Sequence, residues 1–214
     1  MHIYKKGFTL AEVLITLLII GVIASIVIPG LIQDSQNAEL KTAWKKAYSD
    51  LNQATMRLVA DNGGNLKGLF SNDNSVRDNY LPYLSKIKSC DYPNNFGNCW
   101  HKMDGDCKNL KGVANTGWGS GSGVILNNGS LVRFRFNQSD CNDTGYGVPI
   151  CGHIIMDING YKGPNVTGKD IFAVYIQEKT IKPWGISGDT YQDDCKNLTG
   201  SIVGLGCSAQ YLYQ

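Results

Sequence analysis

The sequence predicts an α+β protein: a long N-terminal helix, apolar in its first half and amphipathic in its second, packed on a small antiparallel β-sheet. Three observations predict it. The chain is almost continuously apolar from Phe8 to Ile32. Leu40, Trp44, Ala47, Leu51, Ala54 and Leu58 then recur at spacings of four and three, which places them on one helix face. Further on, Gly123-Val124-Ile125-Leu126 and Leu131-Val132-Arg133-Phe134-Arg135-Phe136 flank Asn127-Asn128-Gly129-Ser130. An Asn-Gly pair between apolar runs is a strong short-range hairpin signal.

The first apolar run is long enough to cross a bilayer, which takes about 20 helical residues. It holds sixteen Leu, Ile, Val and Phe residues. On an insertion scale they sum to about −5 to −10 kcal/mol. Glu12 lies inside the run and costs roughly 2.5–3.5 kcal/mol at mid-membrane, less near an end. Insertion wins, and Glu12 is left as a local penalty in need of a partner. Lys5 and Lys6 precede the run, and the next basic residue is Lys41. That asymmetry predicts a single pass with a cytoplasmic N-terminus and everything after the span outside.

An ordinary secretory signal has an apolar core of only about 7–15 residues and a small-residue exit. A plain signal anchor explains the length and orientation but not the order Lys-Gly-Phe-Thr-Leu-Ala-Glu over residues 6–12. That order resembles the N-terminus of type IV pilins and of the pseudopilins of type II secretion. The resemblance is close over about the first thirty residues and architectural beyond them. It implies a pilin-like fold and cleavage between Gly7 and Phe8 by prepilin peptidase, followed by methylation of the new Phe8 amine. It implies a prepilin-like structural subunit of a bacterial inner membrane, with its head periplasmic or extracellular. The expected partners are prepilin peptidase, other pilin or pseudopilin subunits and the membrane assembly platform. In a filament, Glu12 would meet the Phe8 amine of a neighbour and set the axial register, the best-attested use of a buried ion pair. The alternative is a membrane-tethered adhesin or receptor domain that never polymerises.

Pro29 lies near the outer end of the span, close to Gly30 and downstream of Gly21. Proline removes a backbone bond and kinks a helix. Either the segment bends or melts there when subunits pack, or the proline ends the span and a second helix starts near Ser35. Pilin helices often carry a proline at this place. The domain reading is therefore a leader over 1–7, a transmembrane helix over 8–32, an amphipathic stalk over 33–62 and a loop-rich head over 63–214. Asp61-Asn62-Gly63-Gly64 ends the stalk.

From Asn65 to about Gly121 the chain reads as loop, with a short helical or turn segment at Tyr80–Leu84. In the strand over 131–136, Val132, Phe134 and Phe136 share the face expected to meet the stalk. Two more strands are expected at His153–Ile158 and Ile171–Ile176, giving a sheet of about four strands.

The net charge of +2 carries no dominant basic stripe, so nucleic acid is not an expected partner. All seven cysteines lie beyond the span, which suits an oxidising compartment. Seven allow at most three internal disulfides. Locality suggests Cys90–Cys99, Cys141–Cys151 and Cys195–Cys207, with Cys107 left over. The last pair resembles the disulfide-closed segment near the C-terminus of many pilins. Zinc on Cys90, Cys99, Cys107 and His101 competes, but the C-x₂-C spacing is lacking.

Between the last two expected strands, residues 157–170 resemble a D-x-N-G-x-K-G-P-N-x-x-G-x-D loop found in numerous pilin-like proteins. Asp157, Asn159 and Asp170 offer hard oxygen ligands of the kind calcium takes. Some major pseudopilins bind calcium near a comparable loop. An EF-hand match fails, because the twelfth residue from Asp157 is Gly168. The alternative is a hairpin loop in which these side chains cap backbone N–H groups. No cofactor is required by any motif. Neither G-x-S-x-G, H-E-x-x-H nor a P-loop occurs, so no enzyme activity is expected. His153 alternates with apolar strand residues and reads as structural. Trp100, Trp118 and Trp184 read as core under loops rather than as a stacking surface for glycan or DNA.

Overall fold

A computed structural model describes residues 7–102, 105–114, 121–198 and 203–213. The Lys5-Lys6 pair and Trp118 lie outside the described residues. The first element, α1, runs unbroken over Leu10–Asp61. Stalk and span are therefore one helix, and no new helix begins near Ser35. Pro29 sits inside it; its missing N–H removes the donor that the Ser25 carbonyl would otherwise meet. The chain divides into two compact units, Met1–Glu39 and Leu40–Gln214.

In the first unit the described chain is helix from Leu10, and its large apolar side chains are exposed from Phe8 to Ile32. Among the described residues nothing buries them. A sequence this apolar without a protein partner needs lipid or other copies to bury it.

The second unit is built on a six-stranded antiparallel sheet in simple sequential order. Its strands are β1 (Lys86–Cys90), β2 (Ser122–Leu126), β3 (Leu131–Phe136), β4 (Gly152–Asp157), β5 (Ile171–Ile176) and β6 (Ile181–Pro183). The sequence reading of four strands holds for β2 to β5. It missed β1 and β6, which are short edge strands. Lys86 and Lys88 flank a register shift in β1, a device that discourages edge pairing. β6 is only three residues long and ends in Pro183.

One sheet face meets α1 as expected. Trp44, Ala47, Leu51, Ala54 and Leu58 pack with Val124, Val132, Phe134, Ile154, Met156, Phe172 and Val174. Trp44 stacks on Phe172 with ring centroids 4.7 Å apart, and its indole N–H donates to the Ser208 carbonyl at 2.9 Å. A second helix, α2 (Asp73–Tyr80), extends this layer from the region read as loop. Asn72 caps it by accepting from the Ser75 N–H at 2.9 Å. Tyr80 and Thr55 exchange a buried hydroxyl hydrogen bond that ties α2 to α1. Helix α1 ends where expected: Gly63 takes a positive φ of 72°, and the Gly64 N–H turns back to the Val59 carbonyl.

The other sheet face is covered by loops. Trp100, Cys107, Leu131, Ile150, Ile155, Ile171, Ala173, Tyr175, Trp184 and Leu205 form a separate core there. Both faces of β4 and β5 are consequently buried throughout. A last helix, α3 (Cys207–Tyr213), closes the described chain beside β5 and β6.

Three disulfides brace the loops: Cys90–Cys99, Cys141–Cys151 and Cys195–Cys207. These are the pairs that locality suggests. Cys107 is unpaired and buried. The zinc alternative fails, because two of its four ligands are consumed in one disulfide.

Candidate processing and assembly site

Gly7 and Phe8 precede α1 outside any helix or strand, and both are exposed. A Cβ built at Gly7 would meet nothing within 4 Å among the described residues. Phe8 is 87% exposed.

Thr9 and Glu12 form a reciprocal cap on the helix start. The Thr9 N–H and the Thr9 hydroxyl both donate to Glu12 Oε2 at 2.8 Å. In return the Glu12 N–H donates to Thr9 Oγ1 at 3.3 Å. This is a capping box, with Thr9 as N-cap and Glu12 three residues on. A carboxylate in the first turn is further favoured by the helix dipole. Glu12 is thus not an unrelieved penalty in the single chain; its charge already meets two donors. The cue was present in the sequence as Thr-x-x-Glu at the head of an apolar run. Both contacts fall on Oε2, and Oε1 accepts no hydrogen bond among the described residues. One lobe of the carboxylate remains for a second donor.

The other candidate lies on the loop-covered side of the sheet. Asp157, at the end of β4, is fully buried and pairs with His101 at 2.8 Å. Its other oxygen accepts the Asn159 N–H. Burial pushes the Asp157 carboxyl up to about 6, against the opposing hydrogen bond from His101. Asp170 accepts the Asn165 N–H at 2.7 Å on one oxygen and the Val166 N–H at 2.6 Å on the other. The Asn159 amide N–H donates to the Gly163 carbonyl. The carboxylate oxygens that calcium would need are therefore turned to protein donors. Among the described residues no cluster of three His, Cys, Asp or Glu is disposed to hold a metal. The Asp157 and Asp170 carboxylates brace a tight loop, while Asn159 Oδ1 is buried and meets no donor among the described residues.

Cys107 lies near Asp157, Asp106 and Asp170. Burial, then these charges, push its thiol up to about 12. It stays protonated at neutral pH and is a poor nucleophile. His153 is buried and bonded to the Asn137 side chain; burial, then Arg133 and Arg135, depress its pKa well below the usual imidazole range. Trp100 and Trp184 lie in the loop-side core.

Residues 4–28 match the model of the prokaryotic N-terminal methylation motif, the prepilin-type signature of type IV pilins and pseudopilins. No curated protein and no solved structure matches the chain. The matched segment contains Gly7, Phe8, Thr9, Glu12 and most of the apolar run, so it coincides with the capped helix start. Helix α1 is also long and apolar enough to cross a membrane, and its most apolar stretch is wholly unburied. Motif and helix together support a prepilin-like, membrane-anchored subunit processed by prepilin peptidase.

Proposed function

We propose that the chain is a prepilin-like structural subunit that is cut before Phe8 and assembles through α1 into a type IV pilus or a type II secretion pseudopilus. The methylation motif on an apolar helix that the protein leaves bare is the observation that carries this reading. Gly7 serves cleavage, since the peptidase requires a residue without a side chain at that position. The span crosses the inner membrane with the leader in the cytoplasm, and the disulfide-braced head faces outward. In the filament, the bare faces of neighbouring helices bury one another.

The Thr9–Glu12 box gives this assembly a definite chemistry. Before assembly it keeps the carboxylate hydrogen-bonded in a medium that would otherwise reject it. During assembly the Phe8 amine of a neighbour approaches Oε1 without dismantling the box. The axial register follows from that contact. Pro29 leaves one backbone carbonyl without its helical donor, which makes its turn the easiest place for α1 to adjust as helices pack. The test is Glu12→Val in cells that assemble filaments. Membrane insertion is expected to persist while incorporation into sheared filaments collapses; normal incorporation would sink the register role.

A further inference from the structure

The segment 203–206 (Val203, Gly204, Leu205 and Gly206) crosses the loop-side layer as a buried strap. Val203 and Leu205 are essentially inaccessible. The strap is tight on both sides. A Cβ at Gly204 would strike the Thr167 carbonyl, and one at Gly206 the Tyr191 carbonyl. The Val203 carbonyl accepts from the Thr167 hydroxyl and from the Leu110 N–H. Three loops thus meet at this strap, and Cys207, which follows it, is bonded to Cys195.

Asp194, beside Cys195, holds the strap from beneath. Its Oδ1 accepts the Gly204 N–H at 3.1 Å and the Gly206 N–H at 3.0 Å. Its Oδ2 is buried and meets no hydrogen-bond partner among the described residues. The side chain as a whole is 8% exposed. A carboxylate spreads its charge over both oxygens, so one lobe of that charge is buried where no donor among the described residues reaches it. A neutral carboxyl suits the geometry better: Oδ1 stays the acceptor and Oδ2 carries the proton.

The charged neighbours reinforce this. Asp189 sits in the same loop layer, itself buried and accepting the Gly185 and Tyr191 N–H groups. The Tyr191 phenol also faces Asp194. Asp193 and Lys196, its chain neighbours, are exposed. Burial, followed by the Asp189 charge, pushes the Asp194 carboxyl up to about 6, while the strap N–H groups pull the other way.

We propose that Asp194 is a proton-dependent latch: neutral, it holds the strap over 203–206 closed, and ionised, it loosens it. The sign follows from linkage. A carboxyl whose pKa is higher when the strap is closed adds stability that is complete below the ordinary aspartate range. That stability is lost as pH rises through about 6. One pKa unit is a tenfold change, so opening of the strap should rise about tenfold or more between pH 4 and pH 7.

The test uses the full chain in detergent micelles. Hydrogen exchange of the Gly204 and Gly206 amides, corrected for intrinsic rates, should speed up about tenfold across that range in the natural protein. It should stay flat in Asp194→Asn, which keeps the acceptor and removes the charge. The same pH response in Asp194→Asn overturns the latch, and so does a flat response in the natural protein. If the variant fails to fold, the natural protein still decides. The Gly204 and Gly206 amide proton resonances should titrate together with one midpoint well above the usual aspartate range. A midpoint in the usual range, or none, refutes the proposal.

Discussion

Glu12→Gln separates the two roles assigned to this carboxylate. Glutamine is the other residue that closes a capping box. Its carbonyl oxygen can accept both the Thr9 N–H and the Thr9 hydroxyl, which converge on one carboxylate oxygen at 2.8 Å. Helix initiation should therefore survive. What is lost is the charge proposed to meet the neighbour's Phe8 amine. A close charge pair at an interface couples by about 2 kcal/mol or more, which is roughly a thirtyfold change in an equilibrium constant. Glu12→Val removes the box as well, and a lost cap costs about a further 1 kcal/mol. The assay is the fraction of processed subunit in sheared filaments, normalised to the membrane pool, with helicity followed by circular dichroism in micelles. We expect natural helicity with at least tenfold lower incorporation for Glu12→Gln, and lower incorporation still for Glu12→Val. If Glu12→Gln enters filaments like the natural subunit, the charge has no part in register and only the cap matters.

Three further outcomes follow from the head. Leu51 is 2% exposed in the core between α1 and the sheet, so Leu51→Ala should destabilise the head by about 2–5 kcal/mol in urea unfolding. Cys107 should resist alkylation at pH 8 until the head unfolds, since its thiol is buried and pushed up to about 12; rapid labelling of the folded protein would contradict this burial. Because Asp157 and Asp170 spend their oxygens on protein donors, neither millimolar calcium nor a chelator should shift the midpoint of thermal unfolding. A calcium-dependent rise would restore the ligand reading of that loop.

Much of the architecture is legible in the residues because it rests on periodicity. The Leu40–Leu58 stripe needs only a helical repeat, and Asn128-Gly129 needs only a turn with positive φ, which Gly129 adopts at 86°. Helix α2 is different. Its eight residues are mostly polar, and only Val76 and Tyr80 mark a buried face beside Arg77. Its start was written in Asn72, which looks like any other Asn of a loop-rich stretch. Strand β1 is exposed over four of its five residues and offers no alternation to read.

The double burial of the sheet was hidden for another reason. Arg133, His153 and Asp157 point to the loop-covered side, where alternation would place solvent, yet all three are buried. A polar residue in a strand says nothing about whether a distant loop covers it. The role of Asp170 is equally non-local in sequence terms. Its spacing from Asp157 fits a ligand set as well as a loop brace, and only the positions of the Asn165 and Val166 N–H groups reveal the brace. At the N-terminus the reverse holds. The Thr-x-x-Glu signature is local and complete, and the cap it forms is what relieves the membrane cost of Glu12.

The most direct test of the account is the mass of the mature N-terminus, measured by intact and peptide mass spectrometry on purified membranes. A chain that begins at N-methylated Phe8 is expected. A chain that keeps Lys5-Lys6-Gly7 in cells with an active peptidase would contradict it and leave a signal-anchored surface domain.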